Sequence, residues 1–213
     1  MKRYLVCAGN IGVGKSTLVS LLSERLGFRP YFEPVTENPY LEDFYADMGR
    51  WAFQSQLFFL SHRVLSHRAL MDDPYSVVQD RSIYEDAEVF ARNLFEQGAL
   101  SRRDWETYRS LYTSLIGLLP APDLVVYLKA SLPTLRDRIA KRMRGFESSI
   151  GDEYLLGLNR LYDAWIEGFR LAPVLVVDSD ALDFVEEKRD FEAVIETIDS
   201  ILRDKQASLF PQE

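Results

Sequence analysis

The chain has 213 residues, 25 Lys and Arg against 33 Asp and Glu (net charge −8), and 47 % hydrophobic side chains. That length supports one sizeable core and is short for two, and the acidic balance excludes a general nucleic-acid binder, which needs cations along phosphate backbones. One cysteine, Cys7, excludes an internal disulfide and suits a reducing cytoplasm; the most apolar stretch, Leu111–Leu128, is cut by Pro120, Pro122 and Asp123, so no membrane span is expected.

In chain order, the apolar run after Met1-Lys2-Arg3 ends at Gly9, too soon for a signal peptide. Tyr4–Ala8 reads instead as a buried strand. Gly9-Asn10-Ile11-Gly12-Val13-Gly14-Lys15-Ser16-Thr17 then fits G-x-x-x-x-G-K-[ST], and Thr17–Leu26 has helical periodicity. A strand, a glycine turn and a helix start aim backbone N–H groups at a polyphosphate. Lys15 is expected at the β/γ-phosphates of a nucleoside triphosphate and the Ser16 hydroxyl on Mg²⁺. A second strand falls around Tyr31–Glu33, and Asn38-Pro39 reads as an N-cap with a first-turn proline. Arg50–Met71 contains no Gly or Pro and is predicted as one helix. Gln54, Leu57, Phe58 and Ser61 share a face of it, which suits a base pocket with apolar walls and few polar groups. His62 and His67 lack partners at metal-ligand spacing and read as surface or packing residues.

Ser76–Asp80 is the third strand and ends in Asp80-Arg81-Ser82. Helices follow over Tyr84–Gln97 and Ser101–Leu119, then a strand over Leu124–Leu128 and a helix over Leu132–Met143, with Ser131 and Pro133 at its start. Arg136, Arg138, Lys141, Arg142 and Arg144 fall within nine residues, a positive patch suited to a small anionic ligand. A helix over Asp152–Phe169, a strand over Val174–Asp178 and a helix over Phe184–Leu202 complete the chain. Asp178 is a rival metal-site acid, ranked below Asp80 because no Arg-Ser follows it. Strands alternating with helices predict one α/β domain over residues 1–213, a parallel sheet of about five strands with helices on both faces. Ligands then gather at strand carboxyl ends, where Glu33 and Asp80-Arg81 lie. With the glycine loop they form a phosphoryl-transfer set: one carboxylate to take a hydroxyl proton, another to organise Mg²⁺ with Ser16, and arginines to neutralise charge.

These motifs stand in the order found in the deoxynucleoside kinases: the Gly9–Ser16 loop, Glu33-Pro34-Val35, Tyr45, Trp51-Ala-Phe-Gln54, Asp80-Arg81-Ser82, Asp86, Arg138-x-x-x-Arg142-x-Arg144, Glu147 and Asp183-Phe184. The chain resembles that family over essentially its whole length. The stretch Glu37-Asn38-Pro39-Tyr40-Leu41-x-x-Phe44-Tyr45 looks most like the bacterial deoxyadenosine/deoxyguanosine kinases. The resemblance implies a P-loop kinase fold, ATP with Mg²⁺, and transfer to the 5′-hydroxyl of a deoxynucleoside. It implies Glu33 as general base, Arg81 on the hydroxyl and incoming phosphoryl group, Asp80 at the metal, and Tyr45 with Glu147 on the sugar 3′-hydroxyl. Gln54 pairs with the base beside Leu57, Ser61, Asp86 and Phe90. Relatives often carry an arginine where Ser61 stands, and the smaller residue leaves room for a two-ring base. Arg138, Arg142 and Arg144 form a lid over the triphosphate in a segment of about 138–150, and Asp183 with Phe184 is the donor-base loop. A homodimer, a cytoplasmic location and a purine preference complete these expectations. The alternatives are a deoxycytidine-preferring kinase, a thymidylate-type monophosphate kinase, and a non-catalytic nucleotide binder. Glu33 argues against the second, since a phosphate acceptor needs no deprotonation. An intact Lys15 and Glu33 argue against the third.

Overall fold

A computed structural model of the protein describes residues 2–33, 37–144, 147, 149–182, 184–185 and 187–209. The expectations placed on Pro34, Val35, Asp183 and lid positions 145, 146 and 148 lie outside the described residues. Five parallel strands, β1 (Tyr4–Gly9), β2 (Arg29–Tyr31), β3 (Val77–Asp80), β4 (Leu124–Lys129) and β5 (Val174–Asp178), form one sheet in the order β2-β3-β1-β4-β5. The chain moves to one side of β1 for β2 and β3 and to the other for β4 and β5. The crevice at the carboxyl end of β1 is therefore the switch point where a ligand settles in such a sheet.

Period-two alternation sorts the side chains of β1 onto both faces. Tyr4, Val6 and Ala8 enter one core with Leu60 and Leu70 of α3 (Met48–Asp72), Tyr108 of α6 (Arg102–Ile116) and Leu158 of α8 (Asp152–Gly168). Leu5 and Cys7 enter the other with Leu18 and Leu22 of α1 (Lys15–Leu26) and Ile195 and Ile198 of α9 (Lys188–Leu209). Cys7 is thus a buried core thiol on the sheet, flanking Asp80 of β3 in register.

Three local expectations are corrected. Asn38 does not cap a helix: its Oδ1 accepts from the Tyr40 N–H at 3.0 Å, a side-chain turn, and α2 (Leu41–Ala46) starts after it. The helix expected over Tyr84–Gln97 is broken into α4 (Ile83–Glu85), a π-helical turn (Asp86–Ala91) and α5 (Arg92–Glu96). A π turn rephases the residues that follow it, and such turns gather at functional sites. Finally, α9 begins at Lys188, not Phe184; that ring is buried in the preceding turn, next to Gly14. The remaining helix, α7 (Leu132–Arg142), follows Ser131 and carries Pro133 in its first turn.

Candidate active site

The glycine loop leaves β1 and enters α1 through three left-handed glycines, Gly9 (φ 144°), Gly12 (φ 82°) and Gly14 (φ 106°). Two of them also admit no side chain: a Cβ on Gly9 would stand 2.5 Å from the Leu128 carbonyl, and one on Gly12 2.7 Å from Ile139. Asn10 pins the loop to α8, its Nδ2 donating to the Leu155 carbonyl at 2.9 Å and to Asn159 Oδ1 at 2.7 Å. Lys15 is buried, and its Nζ donates at 2.9 Å to the carbonyls of Gly9 and Asn10. Burial, then the Arg81 charge, push its pKa down to about 8 against Asp80, Glu33 and Glu85, which pull it up. Ser16 Oγ donates to Asp80 Oδ2 at 2.5 Å, and the other Asp80 oxygen is buried with no hydrogen-bond partner. A hydroxyl and a free carboxylate oxygen side by side form a hard-oxygen site of the kind Mg²⁺ takes with substrate phosphates.

Past β3, Arg81 adopts φ 66°, rare for a residue with a side chain, while its N–H donates to the Cys7 carbonyl at 3.0 Å. This turn sets the Arg81 guanidinium 4.0 Å from the Phe90 ring centroid, with Nε 3.3 Å from Glu33 Oε1. Glu33 meets a second cation, Arg63, whose Nη2 donates to the same oxygen at 2.8 Å. Burial pushes the Glu33 pKa up, but Arg81, Arg63 and Lys15 outweigh it and hold the carboxyl below its ordinary 4.5. Arg63 also donates through Nε to Asp86 Oδ2 at 3.1 Å, and through Nη1 to the carbonyls of Asp80 (3.2 Å) and Arg81 (2.9 Å). Every donor-bearing nitrogen of that guanidinium has an acceptor, the condition for burying such a charge without an orphaned N–H. For Asp86, burial pushes the pKa up, opposed by Arg63.

Two adjoining cavities meet at Gly12, Lys15, Ser16, Arg142 and Arg144. One, of about 240 Å³, also takes in Ile11, Glu33, Tyr45, Asp80, Arg81, Asp86, Phe90 and Glu147. The other runs past Gly14, Thr17, Arg138 and Phe184. Arg138 bridges the Val13 carbonyl (2.6 Å) and the Ser179 carbonyl (3.0 Å), tying the loop to the end of β5. Arg142 donates from Nε to the buried Glu147 at 3.0 Å, and Arg144 lies 3.5 Å from the same carboxylate. Asp178 stands apart, its Oδ1 accepting from the N–H groups of Asp180 (2.9 Å) and Ala181 (3.3 Å) as a turn acid.

The face of α3 expected in the pocket is corrected. Gln54, Leu57 and Ser61 line a separate apolar groove with Leu65 of the same helix and Leu111 and Leu115 of α6. The residues that reach the cavity are Gln56 and Phe59, with Arg63 behind them on Asp86. Two residues turn a helix by about 200°, so choosing Gln54 rather than Gln56 selects the opposite face. Arg63, seven residues beyond Gln56, belongs to that same cavity face. Gln56, Phe59 and Arg63 show the i, i+3, i+7 spacing equally well, and that was the available signal. Tyr154 of α8 also lines the cavity and carries no local signal.

A family model described as "Deoxynucleoside kinase" matches residues 5–203. The chain is 37 % identical over 204 residues to the deoxyadenosine/deoxycytidine kinase of Bacillus subtilis, covering 95 % of this chain and 94 % of that protein. It is 38 % identical over 196 residues to the deoxyguanosine kinase of the same organism, with 90 % and 93 % covered. Among solved structures, the deoxyadenosine kinase of M. mycoides with bound dATP superposes with a TM-score of 0.83 at 30 % identity, covering 92 % of this chain and 99 % of that one.

Proposed function

The chain belongs to the deoxynucleoside kinase family, and on that premise we propose that the cavity between α3, β3 and the glycine loop receives a purine deoxynucleoside for phosphorylation at its 5′-hydroxyl. ATP is the phosphoryl donor and Mg²⁺ the accompanying cation. The residues of this chain fit both. The Gly9–Thr17 loop and Lys15 receive the polyphosphate, with Arg138 and Phe184 along the donor side. Ser16 Oγ and the unpartnered Asp80 oxygen would hold the cation, which when bound spreads the negative charge of the transferring group.

Glu33 receives the proton of the 5′-hydroxyl as that oxygen bonds to the γ-phosphorus and the bond to the ADP oxygen breaks. Arg63 and Arg81 keep Glu33 ionised before the hydroxyl arrives and hold its position. Arg81, Lys15, Arg142 and Arg144 surround the transferring group with cations, positioning and charge stabilisation being the main catalytic terms in such reactions. Arg142 and Arg144 belong to a lid of about residues 138–150; Glu147, with Tyr45, takes the sugar 3′-hydroxyl. Gln56 can donate to and accept from a base edge, and Asp86, oriented by Arg63, accepts from an exocyclic amino group. Adenine, guanine and cytosine carry such a group and thymine does not. The similarity to relatives named for deoxyguanosine, deoxyadenosine and deoxyadenosine/deoxycytidine supports the purine preference, with deoxycytidine next.

We read residues 1–213 as one kinase unit acting in the cytoplasm. Among the described residues no helix is long and apolar enough to cross a membrane. The groove of Leu57, Phe58, Leu65, Leu111 and Leu115 supports pairing of two copies through α3 and α6. The observation that carries the catalytic reading is the Glu33 carboxylate, held by Arg63 and Arg81 in the cavity that Gly12, Lys15 and Ser16 of the phosphate loop line. Pure protein with γ-labelled ATP and deoxyadenosine tests it: label in the 5′-monophosphate is the expected result, and label released only as inorganic phosphate contradicts it.

A further inference from the structure

Glu85 has no part in the transfer as described, yet its side chain is fully buried between the two elements that perform it. Its Oε1 accepts from the Ser82 N–H at 2.8 Å and from the Ser82 hydroxyl at 3.3 Å. Its Oε2 accepts from the Gly9 N–H at 3.3 Å and from the Tyr162 hydroxyl of α8 at 2.7 Å. All four contacts are donors, which favour the ionised form, while burial pushes the carboxyl pKa up and Arg81 and Lys15 oppose it. On one side the bonds reach the first residue of the phosphate loop. On the other they close a capping box, Ser82 to Glu85, around the start of α4. That box directly follows Arg81, which holds a left-handed conformation a side chain resists. Such a conformation persists only where its surroundings over-determine it.

We propose that Glu85 is a positioning residue, a buried carboxylate that sets the phosphate loop at Gly9 against the Arg81 turn so that donor and acceptor meet in line. The proposal rests on the phosphoryl-transfer reading of the cleft and extends it to a residue that touches neither substrate. A capping acid alone would need only the Ser82 bonds. The second oxygen, turned away from the helix start toward Gly9 and Tyr162, ties it to the loop and to α8. Asn10 fastens the next loop residue to α8 as well, so both ends of that corner are referenced to one helix.

Glu85→Gln keeps the size of the side chain but can offer an acceptor to only one of the two partner sets. The expected result is a loss in kcat of about 10²-fold, the scale of a misplacement near 1 Å at a reacting centre. Affinity for ATP should weaken several-fold through Gly9, while deoxynucleoside affinity in the absence of ATP stays within about twofold, because Gln56, Tyr45 and Asp86 are untouched. A merely structural residue would lower the melting temperature and leave this split absent. Tyr162→Phe removes one donor and leaves the carboxylate; kcat should fall less but in the same direction. An unchanged kcat and ATP affinity in folded Glu85→Gln overturns the proposal. So does an unchanged pair of values in Tyr162→Phe, should Glu85→Gln fail to fold. Wild-type protein that transfers nothing to any deoxynucleoside brings down the functional reading by itself, and the ATP affinity of Glu85→Gln relative to wild type still decides Glu85.

Discussion

Arg63 on α3 and Asp86 at the start of the π-helical turn form a buried ion pair, Nε to Oδ2 3.1 Å, and the same guanidinium reaches Glu33 at 2.8 Å. One cation therefore joins the residue we assign to base recognition with the residue we assign to proton transfer. Three regions distant in sequence, the segment just after β2, the middle of α3 and the start of the π-helical turn, acquire a common reference. Removing it should disturb both functions together.

Arg63→Met leaves Asp86 buried without its cation and Glu33 with Arg81 alone. Breaking a buried pair from one side costs roughly 3–5 kcal/mol. Urea unfolding is expected to show a loss of that order, with both acceptor affinity and kcat reduced. A variant of wild-type stability would mean that Arg63 does not hold Asp86 and Glu33 together.

Glu33→Gln should keep ATP binding and lose about 10²–10⁴ in turnover, the usual contribution of a general base. Turnover within a few-fold of wild type removes Glu33 from that role. The pH dependence has a definite sign. Burial raises the Glu33 pKa, and Arg81, Arg63 and Lys15 together bring it below the ordinary 4.5. A depressed carboxyl pKa contributes stability above the unfolded value, lost as pH falls through the folded one. Acid titration of the unfolding free energy should therefore show a loss below about pH 4.5 that is smaller in Glu33→Gln.

Lys15 should take up a proton when ATP binds in mildly alkaline solution. Burial and Arg81 lower its pKa to about 8, and a triphosphate beside it restores the charged form. The sign for stability follows: between pH 8 and the ordinary 10.5 the unfolded chain holds the proton the folded one has released, so the cost of burying this cation is relieved as pH rises. Calorimetry at pH 8.5 in two buffers of different ionisation enthalpy should report net proton uptake on ATP binding, and none in Lys15→Met. Equal heats in both buffers contradict the assignment.

Arg142→Ala and Arg144→Ala should each depress kcat more than they weaken deoxynucleoside binding, since their partner is charge that develops during transfer. Removing one such donor typically costs about 10²–10³ in kcat. An unchanged kcat with only a raised KM for the nucleoside would move both arginines out of the transition state.

What could be read from sequence divides along the line between local and tertiary information. The Gly9–Ser16 loop is legible because its φ angles and missing side chains are local demands that only glycines meet. Asp80 and Glu33 are legible because parallel strands bring their carboxyl ends together, although β2 stops at Tyr31, before Glu33. The face of α3 was not legible. Gln54 and Gln56 carry equally good helical companions, and only the position of Asp86 across the cleft decides between them. The π turn at Asp86–Ala91 leaves no mark in apolar spacing. Nor does the meeting of Glu85 with Tyr162, 77 positions away.

Helix phase gives its own test. Gln56→Ala should lower kcat/KM for the preferred deoxynucleoside about tenfold or more, the effect of leaving a base edge unpaired. Gln54→Ala, on the opposite face, should leave it unchanged. The reverse pattern would restore Gln54 to the base pocket.

The most direct measurement is kcat/KM for deoxyadenosine, deoxyguanosine, deoxycytidine and thymidine, each with saturating ATP and Mg²⁺. Asp86 on Arg63 predicts thymidine poorest, because a buried acceptor left without its amino partner discriminates strongly, and the similarity to deoxyadenosine and deoxyguanosine kinases predicts one of the two purine deoxynucleosides highest with deoxycytidine next. Thymidine as the best acceptor would contradict both the role of Asp86 and the purine assignment.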